Sequence, residues 1–544
     1  MTERRTLLCH LAAGALIAAF FLQSFLASRI KSPTSDEPPH IAAGLSYVEK
    51  NNFRPNPQHP PLIKELSAFS LLLAGIHLPD NVLTRRMLEE NEGDQIEWLV
   101  GNEVIAENGP ATALLWARLP VIVLSTLLAL LIYIWGLRIA GNPAALGALL
   151  IFALDPNLLA HSAFVTTDMG LAVFGTLFFF VLWLCLRSPN PVRVLCCGLT
   201  LGLALCAKFS AVFMIPPALV LTAVPEWRIL RGMAAKGLPL AGRLIRIAAS
   251  VCAACGVACL VILAVYRSPD GLSLYWRGLN SVYADHNPDH LYYMAGWLQK
   301  RFYSYFAVAW LLKEPVGTVA LVLVGSVALL RNRSLPLPDK LFLFLLPATL
   351  FAAATFWAHD IGIRYIIPAF PFACLAGGAG LAYLLGTGPR RAAGFAGVLV
   401  VWMIVAAAGI YPDNLSYFNE AACLLTQPAK IGWDGGSKCG PWWLDDSNVD
   451  WGQGLVQLSD WMKAHPDPRT PRIVYFGSFP PEVYGIEGQL AGIGRYDLVA
   501  TPGLYAISAQ QVARYYETWL RIIPPVAIVG HAYYIYDIRY SRYE

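Results

Sequence analysis

Apolar runs of bilayer length follow one another through the first three quarters of the chain, and nothing else in the sequence limits the fold as strongly. They lie at about 7–27, 112–136, 144–160, 169–186, 194–207, 209–225, 246–266, 304–330, 341–357, 365–385 and 392–411. About 20 apolar residues in a helix cross the hydrocarbon core. A folded soluble core does not account for them: only 14% of the 544 residues are charged and 56% are hydrophobic, against about 25% charged in soluble domains. The pattern predicts a polytopic α-helical membrane protein with about 11 transmembrane helices. The first run reads as a retained anchor rather than a cleaved signal peptide, because many spans follow it. The runs on either side of Lys208 are short for two spans and predict broken or tilted helices.

Basic residues set the orientation. With the N-terminus in the cytosol, the cytosolic loops are 137–143, 187–193, 226–245, 331–340 and 386–391, and they carry Arg138, Arg187, Arg193, Arg228, Arg231, Lys236, Arg243, Arg331, Arg333, Lys340, Arg390 and Arg391. The acids and histidines then fall on the outer side. These are loop 28–111, the tight turn 161–168, Lys208, loop 267–303 and the turn 359–364. Within the first loop, 65–78 is apolar but too short to span, which predicts a helix lying at the interface. After 411 no run is long enough to span, and Pro, Gly, Trp and Asp rise. A helical pattern at 451–464 and strand-like runs at 472–476, 503–507 and 526–536 predict a small extracytoplasmic α/β cap, 412–544, on a transmembrane domain, 1–411. The net charge of +4 gives no reason to expect nucleic acid as a partner.

Few residues are placed to carry chemistry. Asp36 and Glu37 directly follow the first span, with His40 one helical turn on and Pro38-Pro39 suited to a helix's first turn. At the bilayer edge such an acid is where a base meets a lipid-borne substrate. Asp168, in Thr166-Thr167-Asp168, is either a helix N-cap or a second functional acid at membrane depth. Lys208 and Arg364 lie at the outer edge of apolar runs, where a cation snorkels or holds a phosphate; Lys300, Arg301 and Lys313 lie at a similar level. His59, His286, His290 and His359 are external, and 286–290 is broken by proline, a weak pattern for a metal. Asp446-Ser447-Asn448 reads as a helix cap rather than part of a catalytic triad. Nine of the cysteines sit in or beside apolar runs and behave as small hydrophobes. Cys423 and Cys439, in the polar C-terminal part, are natural disulfide partners outside the cytosol.

Taken in order, Asp36-Glu37 after the first span, Gln58-His59-Pro60-Pro61-Leu62-Ile63-Lys64 and Thr166-Thr167-Asp168 resemble the GT-C glycosyltransferases. The likeness extends to Gly362-Ile363-Arg364-Tyr365-Ile366-Ile367-Pro368, Tyr417-Phe418-Asn419-Glu420 and Asp446–Gln453. It is strongest toward the bacterial branch related to protein O-mannosyltransferases and the aminoarabinose transferase of lipid A. The resemblance implies a phospholipid-carrier-dependent transferase in a bacterial inner membrane. Its partners are a polyprenyl-phosphate-linked sugar donor, the lipid bilayer and an unidentified acceptor. It implies that Asp36 is the catalytic acid of the first loop with Glu37 beside it, and that Asp168 is the acid of the second. Lys208, Arg364 and Arg301 then face the carrier phosphate. Gln58 stands where the aminoarabinose transferase has a metal-binding glutamate. A divalent metal, the one cofactor considered, would fall to His59 and His290. The expected chemistry is an inverting transfer with Asp36 as base. A lipid-linked flippase, or a sensory membrane protein working through its cap, are the rival readings. The residues name neither sugar nor acceptor.

Overall fold

The computed structural model describes residues 2–89, 95–224, 233, 237, 239–284, 287, 289–386, 390–491, 501–515 and 518–539. Arg228, Arg231, Lys236 and His286 lie outside the described residues. Seven helices among the described residues are long and apolar enough to cross a membrane. The 45-residue segment Pro110–Leu154 is one of them, and it is not a single rod. Gly141 sits at φ 79°. A Cβ on Gly136 would lie 2.9 Å from the Cα of Ala145, whereas nine residues of straight helix rise about 13 Å. The chain therefore doubles back at Gly141, and the runs 112–136 and 144–160 form two antiparallel halves. The second half ends early: Asp155 accepts from the backbone N–H of Asn157 and Leu158, and so starts the separate short helix Pro156–Ser162.

Two other runs are broken. Tyr305–Lys313 meets Val316–Arg331 at 113° across Glu314-Pro315, where proline removes a helical donor. The stretch around Lys208 divides into Pro191–Ala207, a 3₁₀ turn Phe209–Met214 and Ile215–Ala223, the broken helices expected from its length. Small residues bring the spans together. A Cβ on Gly378 would lie 2.8 Å from Ala148 Cα, and one on Gly380 3.1 Å from Gly325 Cα. Helix Phe370–Gly386 is thus packed backbone to backbone against both the hairpin and Val316–Arg331, the close approach that small residues permit in lipid.

Among the described residues the first loop holds four helices, Glu37–Lys50, Leu62–Leu73, Val82–Glu89 and Ile96–Glu107. The second starts and ends earlier than the expected 65–78; it buries Leu62, Ile63 and Lys64 and exposes Phe69 and Leu73. In loop 267–303, strands β1 (Tyr292–Met294) and β2 (Trp297–Gln299) form an antiparallel ribbon. The cap's sheet uses β3 (Arg472–Val474), β4 (Gln489–Leu490), β5 (Gly503–Ser508), β6 (Ala527–Val529) and β7 (Tyr533–Ile538), in the order β4-β3-β5-β7-β6. β3 is parallel to β4 and β5; β7 is antiparallel to β5 and β6. The single run expected at 526–536 is two strands, because Gly530 and His531, at φ 58° and 52°, turn the chain back. Of the helical stretch expected at 451–464, only Leu455–Ala464 is helix, and Cys423–Cys439 is a disulfide.

The cap is bolted to the chain leaving the first span. Ser32 and Ser35 donate their backbone N–H to Gln453 and Trp451, at 3.1 and 2.8 Å. Lys31 pairs with Asp413 at 2.5 Å, and His531 bridges Asp413 and Asp434 at 2.9 and 3.0 Å. Lys438 is the other cation on Asp434, at 3.7 Å. Burial alone would push the His531 pKa down; the hydrogen bonds to Asp413 and Asp434 outweigh it and raise the pKa to about 9. A raised histidine stabilises the fold fully below its unfolded value of about 6.5 and loses that contribution as pH climbs through the folded value. The cap's own fold is therefore expected to weaken between about pH 6.5 and 9, by on the order of 3 kcal/mol as an upper bound. Hydrogen exchange of β6 and β7 across that range checks it. A slope that persists unchanged in His531→Ala would show that another group is responsible.

Candidate active site

Asp36 and Glu37 sit side by side where the first-loop helix begins, and the helix start sends them to different places. Glu37 is fully buried. Its two oxygens take a fork from Arg118, Nε to Oε1 at 2.8 Å and Nη2 to Oε2 at 2.7 Å. They also accept the backbone N–H of Thr34 and Val165 at 2.8 and 2.9 Å. The remaining donors of Arg118 go to the carbonyls of Ser28, Lys31 and Ser32. Glu37 therefore does not reach substrate space. Where the sequence suggests a catalytic Glu37, the structure keeps it out of the cavity lining, and its contacts tie the end of the first span, the second span and the turn at Val165 together.

Asp36 is left on the other side, at the polar end of a cavity of about 410 Å³. Its Oδ2 accepts from Arg364 Nη1 at 2.8 Å. Asp168 lines the same cavity and is ion-paired with Lys208. It is not a helix N-cap: Thr166 holds that position, and its side chain makes no capping bond. Lys208 lies over the Tyr365 ring at 4.7 Å and Arg364 over Trp451 at 4.4 Å. The Nε of Arg364 is buried with no hydrogen-bond partner among the described residues. Two acids and two cations are thus interlaced over an aromatic floor. The lining also includes an apolar set, Val212, Phe213, Leu350, Phe356 and Trp357. One space offers a charged end and a greasy side.

His40 and His59 complete the polar end, their rings edge to face at 5.2 Å. Burial first, and then the charge of Lys64, lowers the His40 pKa to about 4. Burial, then His40 and Lys64, hold His59 well below its ordinary value. His40 Nδ1 is 2.9 Å from the Val165 carbonyl. The metal reading fares less well. His290 does not line the cavity, so the expected pair of His59 and His290 is not brought together. No group of three His, Cys, Asp or Glu that fits a metal occurs among the described residues.

Arg301 lines the cavity, with Nη1 donating to the Thr355 carbonyl at 3.1 Å. Lys300 pairs with Asp289 on the surface. Lys313 is buried and donates to the carbonyls of Leu415, Tyr417 and Asn448, so it serves the cap joint and not a ligand. The stretch Asp446–Asn448, expected as a helix cap, is a 3₁₀ turn. Ser447 Oγ donates to the Ile361 carbonyl at 2.7 Å, and Asn448 Oδ1 accepts Ile363 N–H at 3.0 Å. These bonds fix the turn that presents Arg364.

Asp36, Asp168, Lys208, Arg364, Arg301 and His59 all line one cavity. Sequence reasoning missed Arg118, Trp451 and Tyr365. Arg118 was visible as a lone cation inside an apolar run, a functional or structural signal at membrane depth. Trp451 reaches the site from the cap, and no local pattern announces that.

Comparison with known proteins bears on the same segments. No curated protein matches the chain. Among solved structures it is similar to ArnT from Cupriavidus metallidurans bound to undecaprenyl phosphate, with 12% identity over 96% of this chain and 97% of that one and a TM-score of 0.49. It is also similar to the archaeal oligosaccharyltransferase AglB from Archaeoglobus fulgidus in complex with an inhibitory peptide and a dolichol-phosphate, with 11% identity over 89% of this chain and 65% of that one and a TM-score of 0.46. Residues 112–264, which hold Arg118, Asp168 and Lys208, match the dolichyl-phosphate-mannose-protein mannosyltransferase family, and on that segment the chain's resemblance to the GT-C glycosyltransferases is borne out.

Proposed function

We propose that the protein transfers a sugar from a polyprenyl-phosphate carrier to an acceptor hydroxyl or amine, with inversion at the anomeric carbon. One observation carries this: a single cavity joins Asp36, Asp168, Lys208 and Arg364 to an apolar wall. A lipid phosphate has the same two-part chemistry. The matched family is named for a mannose donor on dolichyl phosphate, which supports the carrier class. The isoprenoid tail lies along Phe213, Leu350 and Trp357, and the phosphate lies at Lys208 and Arg364. Arg364 spends Nη1 on Asp36 and, with Lys208, lines the cavity where the phosphate oxygens lie. Asp36 accepts the proton of the acceptor on the face opposite the phosphate. The new bond to the anomeric carbon forms as the carbon–oxygen bond to phosphate breaks. Its electron pair stays on the phosphate, where the two cations stabilise it. Asp168 orients Lys208, and Trp451 closes the site from the cap.

In this reading the protein sits in a bacterial inner membrane with its N-terminus cytosolic and its cap outside, so the donor is met on the outer face. A flippase is not favoured, because Asp36, Arg364, Asp168 and Lys208 form one paired cluster around Tyr365 rather than a charged path across the spans. Mass spectrometry of lipid co-purifying with the full chain tests the class. A polyprenyl phosphate or its sugar ester is expected; bulk phospholipid alone would overturn it. Arg364→Gln removes a charge-assisted contact worth about 1.5–3 kcal/mol and is expected to weaken carrier binding by about 10–100-fold.

A further inference from the structure

Segment 419–439, which the Cys423–Cys439 disulfide closes from residue 423 onward, shows a surface that the proposed reaction does not use. Leu424 is 63% exposed, Leu425 66% and Trp433 79%. A polar cap in water has no reason to present these three together.

Their height explains them. The last span, Arg390–Ile410, exposes Val398, Val401, Trp402 and Ile404, and Ile404 is its last large exposed apolar residue. The segment takes over where that face stops. Trp402 Nε1 donates to Glu420 Oε1 at 2.8 Å, so residue 420 has come back beside the helix two turns below its outer end. Two other features lie at the same level. A Cβ on Gly317, at the start of Val316–Arg331, would lie 2.8 Å from Met403 Cγ. One residue earlier the chain bends by 113° into Tyr305–Lys313. The last span runs on to Ile410, and a Cβ on Gly409 would run into the Trp433 carbonyl oxygen, so Trp433 sits at its outer end, where a helix of this length meets the border of the bilayer. Tryptophans favour that border, and Trp402 and Trp433 both lie near it. Lys430 and Lys438 are exposed on the same segment, where cations meet lipid phosphates.

We infer that segment 419–439 is an interfacial foot, with Leu424, Leu425 and Trp433 set among outer-leaflet phospholipids and Lys430 and Lys438 facing anionic headgroups. The lipid-facing side of the last span continues onto this foot without a break. The cysteine bridge holds it folded back against the helix, so the cap is moored to the membrane on the flank of the last span.

The test uses the full chain in nanodiscs of phosphatidylethanolamine and phosphatidylglycerol, with p-benzoylphenylalanine replacing Leu425, or Leu424 as a second position should the first misfold. A control carries the same probe at Leu490, exposed on the cap's sheet edge. On irradiation, phospholipid adducts are expected about tenfold more often at 425 than at 490, with phosphatidylglycerol over-represented. Equal yields at 425 and 490, no lipid adduct at 424 or 425, or adducts to a second copy of the chain would overturn the foot. The Lys430→Gln, Lys438→Gln pair is expected to abolish the phosphatidylglycerol bias; a bias that survives would overturn the headgroup assignment. Neither result depends on the transferase reading, since no activity is measured.

Discussion

Asp36→Asn is expected to lower turnover by about 10²–10⁴-fold, the range a positioned general base contributes, while carrier affinity changes little. The amide is nearly isosteric, and its oxygen still accepts from Arg364, now 2.8 Å from the carboxylate. The Asp36 side chain is 27% exposed, so the change leaves no sealed polar group behind. What disappears is the proton acceptor. The loss should therefore fall on kcat, with KM for the donor close to that of the wild type. Arg364→Gln should raise KM for the donor and lower kcat as well, because it removes both a ground-state contact to the phosphate and part of the stabilisation of the departing phosphate's charge. Steady-state kinetics with the lipid found by co-purification separates the two. Wild-type turnover by Asp36→Asn would end the base assignment and leave the cavity as a binding site only.

The polar rim was legible because its residues come from separate outer turns that hydropathy alone locates. Asp36, Asp168, Lys208 and Arg364 each lie at the edge of an apolar run, and the alternation of loops puts those edges on one side. Glu37 shows where that reasoning stops. In sequence it is the twin of Asp36. A helix turns each successive residue by about 100°, so one acid faces the cavity while its neighbour faces Arg118. The pair could not be divided until Arg118 was placed, and one arginine in a long apolar run is averaged away by any hydropathy window. Asp155 was readable in principle, since Asp-Pro-Asn is a helix-start pattern that cuts the run 144–160. The hairpin at Gly530-His531 was hidden because both its strands are apolar and aromatic. Trp451 and the Ser447–Asn448 turn belong to tertiary structure: they act on Arg364 from more than 80 residues away in the chain.

Arg118→Met is expected to cost about 3–5 kcal/mol of stability, the penalty for leaving one partner of a buried ion pair without the other. Both side chains are fully buried, so water cannot replace the guanidinium on Glu37. The carbonyls of Ser28, Lys31 and Ser32 lose their donors in the same step. Because those carbonyls lie where the first span hands over to Asp36, the damage should reach the site: turnover falls even in the fraction that remains folded. Removing the charge from both partners is a different perturbation. Arg118→Met with Glu37→Gln leaves no bare carboxylate inside, and the new side-chain amide can still accept from the backbone N–H of Thr34 or Val165. The double variant is therefore expected to be less destabilised than the sum of the two singles, with a coupling of about 0.5–3 kcal/mol. Denaturant unfolding of the four proteins in one detergent measures this cycle. Stability of Arg118→Met within about 0.5 kcal/mol of wild type, the usual range for an uninvolved surface site, would show that Glu37 is held by its two backbone donors alone.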